Sequence, residues 1–278
     1  MIIVDFNQVM ISNLMMSLGN HTNTPLEEGL LRHMVINSLR SYKQKYGNEY
    51  GQIVIACDDK NYWRKQVFPY YKANRKKARD QSEIDWGIVF QSFDKLKQEI
   101  TEYFPYPVVQ VDTAEADDII ATLVQANRNE KILILSGDKD FVQLQTMPNV
   151  KQYDPVRKRQ VSHPDPKKYL FEHVLKGDVG DGIPNVLSNS DVFVTGGRQR
   201  PLTQKRIDEI RLNGLSNPDL ITNYNRNVRL VDLNQIPSDL KESILTKYQQ
   251  QLGKGRDKLF NYFITHKLKN LMESIGEL

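Results

Sequence analysis

A chain of 278 residues and 32.3 kDa with 39% hydrophobic residues can bury a sizeable core, is long enough for two domains, and is not disordered by default. One cysteine, Cys57, excludes an intramolecular disulfide and fits a reducing, cytoplasmic setting; the five histidines (His21, His33, His163, His173, His266) show no zinc spacing. No apolar run approaches the roughly 20 residues of a membrane helix, the start MIIVDFNQVM lacks a signal-peptide pattern, and the net charge of +4 conceals acids and bases clustered in different stretches.

In chain order, residues 2–4 are an apolar run suited to a buried strand, with Asp5 at its carboxyl end. Residues 30–42 read as a helix through Leu31, Met34, Val35, Leu39 and Tyr42, and residues 52–57 as the next strand, ended by Asp58 and Asp59. Residues 62–80, YWRKQVFPYYKANRKKARD, interleave Arg64, Lys65, Lys72, Arg75, Lys76, Lys77 and Arg79 with Tyr62, Trp63, Phe68, Tyr70 and Tyr71. That mixture suits nucleic acid, since cations neutralise phosphates and aromatic faces stack on unpaired bases; a solvated basic helix with inward aromatics is the plainer alternative. A core-facing helix over 86–103 (Val89, Phe90, Phe93, Leu96, Ile100) precedes Pro105, Pro107 and a strand over 108–111.

The stretch 111–141 carries the densest chemistry. Ala116, Ile119, Ile120, Leu123 and Val124 give a helix one buried face after Thr113, its expected N-cap, and Glu115, Asp117 and Asp118 fill its first turn. The strand 132–135 ends in Ser136-Gly137, from which Asp138 and Asp140 leave. Either half alone could be ordinary dipole complement or turn chemistry. Three strands ending in acid, with helices between them, instead describe an open α/β, mostly parallel sheet whose crevice lies at the carboxyl ends. Residues 149–161 read as a hairpin or sheet edge, and Pro164 and Pro166 mark a boundary. Beyond it, helices over 169–176, 202–212, 239–252 and 258–275 describe a second, mostly helical domain, with a polar, glycine-containing stretch at 188–201.

Asp5, Asp58, Glu115, Asp117, Asp118, Asp138 and Asp140 cannot all ionise at one place without a compensating cation. Oxygen donors favour magnesium or manganese, and a metal pair about 4 Å apart can activate water, polarise phosphorus and stabilise the leaving oxygen. A phosphodiester hydrolase follows. An aspartyl-phosphate enzyme would need a second Asp two residues after the first, where Asn7 stands; a non-catalytic DNA-binding scaffold would leave the acids unexplained.

VDFNQ, YYKANR, EADDIIA, SGDKDF and GDVGDGIPNV, in this order and spanning nearly the whole chain, resemble the flap endonuclease or 5′ nuclease family, most closely its ribonuclease H branch in T-even bacteriophages. The resemblance implies a PIN-like nuclease domain at 1–165, with 62–80 as a basic-aromatic arch. A helical domain at 166–278 would follow, carrying a helix-hairpin-helix or helix-three-turn-helix element. It implies removal of RNA primers and adjacent DNA from 5′ ends, and flap cutting, during replication in the cytoplasm of an infected bacterium. It implies two Mg2+ ions, replaceable by Mn2+, held by Asp5, Asp58, Glu115, Asp117, Asp138 and Asp140, with Asp178 and Asp181 joining a second site and Asp118 matching the motif. Lys72 and Arg75 fall where the family contacts the scissile phosphate, and Tyr71 where a base would stack. Arg64, Lys65, Lys76, Lys77 and Arg79 would add nucleic-acid contacts. The implied partners are branched or nicked duplex DNA and RNA·DNA hybrid, met by a monomer, with single-strand-binding protein or a sliding clamp beside them. Asn185 and Gly196-Gly197 depart from the family's glycine-rich, potassium-binding hairpin, Asp59 has no counterpart, and a start directly on the first strand gives clamp docking no support.

Overall fold

The computed structural model describes residues 1–19, 26–215 and 217–278; His21 lies outside them. Six strands form one sheet: β1 (Ile2–Asp5), β2 (Ile53–Ala56), β3 (Val108–Val109), β4 (Ile132–Leu135), β5 (Val150–Asp154) and β6 (Arg159–Val161), in the order β3-β2-β1-β4-β5-β6. All neighbours are parallel except β5 and β6, which pair antiparallel as the expected edge hairpin. The helices are α1 (Phe6–Leu18), α2 (Glu28–Tyr50), α3 (Trp63–Val67), α4 (Ala73–Asp80), α5 (Trp86–Tyr103), α6 (Ala116–Ala126), α7 (Pro166–Lys176), α8 (Gln204–Asn213), α9 (Pro218–Val231), α10 (Ser238–Gln250), α11 (Leu259–Thr265) and α12 (Lys269–Met272).

The central strands β2 and β4, and β1 up to its terminal Asp5, are apolar because both of their faces are covered, and strand alternation sends neighbours to opposite layers. Ile2, Val4, Ile53, Ile55, Leu133 and Leu135 join one core with α1, α2 and α5. Ile3, Val54, Ala56, Ile132 and Ile134 join the other with α6. Strand order reverses between β1 and β4, so the carboxyl ends of β2, β1 and β4 open on one crevice.

The helices after residue 230 pack into the layers of the sheet: Leu259, Tyr262, Phe263, Leu268 and Leu271 enter the first, while Leu233, Ile236, Leu240 and Ile244 enter the second. A buried parallel sheet needs cover on both faces, and these helices supply it. Among the described residues, the stretch around α7, α8 and α9 builds smaller clusters of its own, one shared with Phe68 and Tyr71. Helices α1 and α9 also lie where none was expected, α9 carrying an Asn217 cap and Pro218 at its first turn. The helix expected over 258–275 is instead α11, α12 and a 3₁₀ turn at Ile275–Glu277, broken where Lys267 takes a positive φ of 55°.

Candidate metal centre and nucleic-acid interface

Each acid of the crevice is set by a strand end or helix start. Asp5 closes β1 and caps α1, accepting from Gln8 N at 3.2 Å and Ser136 Oγ at 2.9 Å, and burial pushes its pKa up. Asp58 accepts from the Ala116 amide at 2.6 Å and from Asn7 Nδ2; burial raises it to about 6. Asp138 caps a 3₁₀ helix (Lys139–Thr146) and accepts from Asp140 N at 2.9 Å; the residue is exposed, yet its carboxylate is raised to about 7 by desolvation among the crevice groups and then by the Asp140 charge. Asp117 accepts no hydrogen bond among the described residues and is raised well above its ordinary value by burial, then by Asp138 and Glu115.

The remaining acids meet cations of the chain itself. Glu115 is 1% exposed, receives Arg64 Nη1 at 2.7 Å and Lys72 Nζ, and stays below the ordinary glutamate range despite burial. Asp181 faces Lys72 Nζ at 3.6 Å, Tyr71 Oη at 2.9 Å and Arg75. Burial alone would push the Lys72 ammonium down, yet Glu115 and Asp181 hold it above its ordinary pKa. Lys72 has a positive φ of 56°, and its amide donates to Asp181 O at 2.7 Å, tying the arch segment to the 178–183 loop. That loop needs its glycines: a Cβ on Gly177 (φ 67°) would lie 2.3 Å from Ile183 O, and one on Gly182 (φ 72°) 3.0 Å from Tyr70 O.

Three expected roles are corrected by burial. Arg64 is 3% exposed and spans Glu115, Asp118 Oδ1 at 2.9 Å and Leu230 O at 2.9 Å, so it is an internal clamp rather than a phosphate contact. Asp118, 0% exposed, accepts from Trp63 Nε1 at 3.1 Å and the Glu115 amide at 2.9 Å, and faces Arg64 instead of the crevice. Tyr71 is buried with its hydroxyl 2.9 Å from Glu115 Oε2, which leaves no ring face for a base. The cap of α6 is Glu115, not Thr113, which sits in a turn with φ 65°.

Lys65, Arg75 and Arg79 are exposed, Arg79 near the exposed Phe90 ring at 5.8 Å; the side chains of Lys76 and Lys77 lie outside the described residues. A groove of 440 Å³ runs beside the acids, lined among others by Asn7, Asp58, Lys60, Tyr62, Arg79 and Phe90. Asp59 accepts from Asn61 N and Thr113 N and shapes a turn. Cys57 is buried, its thiol pushed up by burial, as befits a core residue. Sequence reasoning passed over Asn7, Ser136 and Gln8, whose Oε1 accepts from Gly137 N at 2.7 Å; all three position the acids or their loop. Asn7 and Gln8 stand inside the VDFNQ motif, which was the available signal.

The arrangement suits divalent ions held by oxygen. Asp117 and Asp138 resist ionisation first because their carboxylates are desolvated and then because like charges stand beside them, Asp138 and Glu115 for Asp117 and Asp140 for Asp138; a bound ion would offset both effects. Asp140, His173 and Asp178 also offer donor atoms within 4.8 Å of one another.

Residues 3–173 match the family described as 5′-3′ exonuclease, N-terminal resolvase-like domain, and residues 166–278 match T4 RNase H, C terminal. Ribonuclease H of Enterobacteria phage T4 is 33% identical over 290 residues, covering 99% of this chain and 94% of its own. Flap endonuclease Xni of Shewanella oneidensis is 30% identical over 143 residues, 48% of this chain and 51% of its own. A T5 protein co-crystallized with metal ions superposes with a TM-score of 0.64 at 17% identity, over 91% of this chain and 99% of that one. The bacteriophage T5 flap endonuclease in complex with DNA and metal ions gives 0.62 at 18% identity, over 90% of this chain and 98% of that one. Two adjoining family matches and a relative aligned almost end to end agree with the sheet and its acid-ended strands: the chain belongs to the 5′-3′ exonuclease family.

Proposed function

We propose that the protein is a divalent-metal-dependent 5′ nuclease. It removes RNA primers and adjacent DNA from 5′ ends and cuts 5′ flaps during replication, acting on branched or nicked duplex DNA and on RNA·DNA hybrid. Two ions, Mg2+ with Mn2+ as a substitute, would be held by Asp5, Asp58, Asp117, Asp138, Asp140, Asp178 and Asp181, with Glu115 beside them. The observation that carries this reading is the juxtaposition of the under-compensated Asp117 and Asp138 with Lys72 and Arg75, anchored on the neighbouring Glu115 and Asp181.

When bound, the ions supply Lewis acidity toward water and phosphate and offset the charge of the acids. The chain's own residues do the rest. Asn7 and the Ala116 amide orient Asp58, and Ser136 and Gln8 orient Asp5, so the ligands are preset. Lys72 keeps its proton beside Glu115 and presents fixed positive charge where a phosphate gains negative charge. Arg75 is half-exposed and can exchange Asp181 for a phosphate oxygen pair. Asp178 and Asp181 belong to the loop that α7 leads into, so duplex held by the helical half would be positioned by the segment that also carries these two acids.

The test is incubation with a 5′-labelled flap, a nicked duplex and an RNA-primed duplex, in Mg2+ or in chelator. Cleavage of at least one substrate in Mg2+ alone is expected. No cleavage of any, with binding retained, would make the protein a non-catalytic scaffold for branched DNA.

A further inference from the structure

His173 lies in the last turn of α7, one turn after Tyr169, whose ring stacks on it at 5.7 Å and 19° and fixes its plane. Its Nε2 is 3.0 Å from Asp140 Oδ1 and 3.8 Å from Asp178 Oδ2. The three donors come from separate, rigid pieces of chain. Asp140 stands on the 3₁₀ helix after β4, His173 on α7, and Asp178 on the loop returned by Gly177, where Asp178 N donates to Ile183 O at 2.8 Å.

The imidazole nitrogen is buried and faces two carboxylate oxygens, Asp140 Oδ1 at 3.0 Å and Asp178 Oδ2 at 3.8 Å. In the absence of metal a protonated imidazole pairs with Asp140 there; an ion bound between the same three groups takes the place of that proton. Two donors about 2.1 Å from one ion lie roughly 3.0 Å apart at a right angle and about 4.2 Å apart when opposite. The observed 3.0 and 3.8 Å both fall within that span. A neutral imidazole with its proton on Nδ1 presents an Nε2 lone pair to such an ion.

We infer that His173 supplies a nitrogen ligand to the divalent ion held by Asp140 and Asp178, so that this one position prefers Mn2+ or Co2+ over Mg2+. Carboxylate and water suit magnesium, whereas imidazole suits the transition metals, which rank above it in affinity for nitrogen. The inference rests on the proposed metal-dependent reading, and it distinguishes the Asp178 position from the all-oxygen position around Asp5, Asp58 and Asp117.

The experiment is electron spin-echo spectroscopy of the full-length protein with one equivalent of Mn2+, run beside Mn2+-supported flap cleavage. The expected result is a histidine 14N modulation that changes to the 15N pattern when histidine is isotopically labelled. His173→Gln should lose it and bind Mn2+ roughly tenfold or more weakly at one position. Bound Mn2+ and normal cleavage without histidine coupling in the unaltered protein would overturn the nitrogen ligand and leave the nuclease reading intact. Coupling that persists in His173→Gln would overturn it as well, by assigning another histidine. Absence of both Mn2+ binding and cleavage would remove this inference together with the nuclease reading.

Discussion

Two groups of acids in this protein are treated in opposite ways. Glu99, 9% exposed, receives both Arg32 Nε at 2.7 Å and Nη2 at 2.8 Å, with Tyr262 Oη at 2.7 Å. Burial disfavours its charge, but these partners hold its pKa below the ordinary glutamate value. They also join α2 and α5 to α11, a structural use of charge. Asp58, half-buried, and Asp138, exposed, have amide and side-chain donors between them but no comparable cation, and desolvation of their carboxylates among the other crevice acids lifts them to about 6 and about 7. One region is complete as folded; the other is shaped for an ion that the chain does not supply.

The sharpest separation comes from removing one charge in each region. Asp138→Asn should lower single-turnover flap cleavage on the order of 10²-fold or more, by removing a ligand from a preset electrostatic site. Its thermal midpoint in chelator should be unchanged or higher, since like-charge repulsion is relieved. The Asp178→Asn, Asp181→Asn double change should slow cleavage by a similar order, while flap affinity measured in chelator stays equal or rises at low salt. Loss of both cleavage and helical structure would make that loop structural. Lys72→Ala and Arg75→Ala should each reduce the chemical step by about 10²-fold, more than they reduce duplex affinity; full rescue by saturating enzyme would reassign them to general backbone binding. Arg32→Ala, by contrast, should cost about 3 kcal/mol of stability, because it strands Glu99, and should leave the turnover of folded protein largely intact. Urea titration beside cleavage below the melting range checks this.

The smallest effect has opposite signs in the two regions. The depressed Glu99 pKa contributes stability that is present above the ordinary glutamate value and is lost as pH falls through its folded pKa. The raised Asp58 and Asp138 work the other way: in chelator their contribution is present below the ordinary aspartate value and is lost as pH rises through about 6 and about 7. Thermal midpoints of metal-free protein across pH 4 to 8 should therefore decline toward the upper end. Saturating Mg2+ should remove that decline, and Asp138→Asn should reduce it.

What the sequence disclosed follows from the range of the interactions concerned. Strand-end acids are legible because a short apolar run, an Asp and a following helix are all local, and the crevice of Asp5, Asp58, Asp117 and Asp138 follows from strand order. Arg64 and Tyr71 were misplaced because both look like members of a basic-aromatic surface. Their burial is decided by Leu230 O, Glu115 and Asp181, which lie far along the chain. The packing of the last helices of 166–278 onto the sheet was hidden for the same reason: periodicity shows that Leu240, Ile244 and Phe263 need a partner, but not that both faces of the sheet provide it. His173 showed no metal spacing because its partners are Asp140 on another element and Asp178 beyond a glycine turn.

The crevice acids, unlike the Arg32–Glu99 pair, call for divalent cations to complete them, and a count of the Mg2+ ions bound at equilibrium by the unaltered protein, Asp138→Asn and Glu99→Gln, each checked for folding, decides the matter. Two ions are expected for the unaltered protein and for Glu99→Gln, with a loss of at least one in Asp138→Asn. Equal binding by Asp138→Asn, or none by the unaltered protein, would show that the acids need no metal.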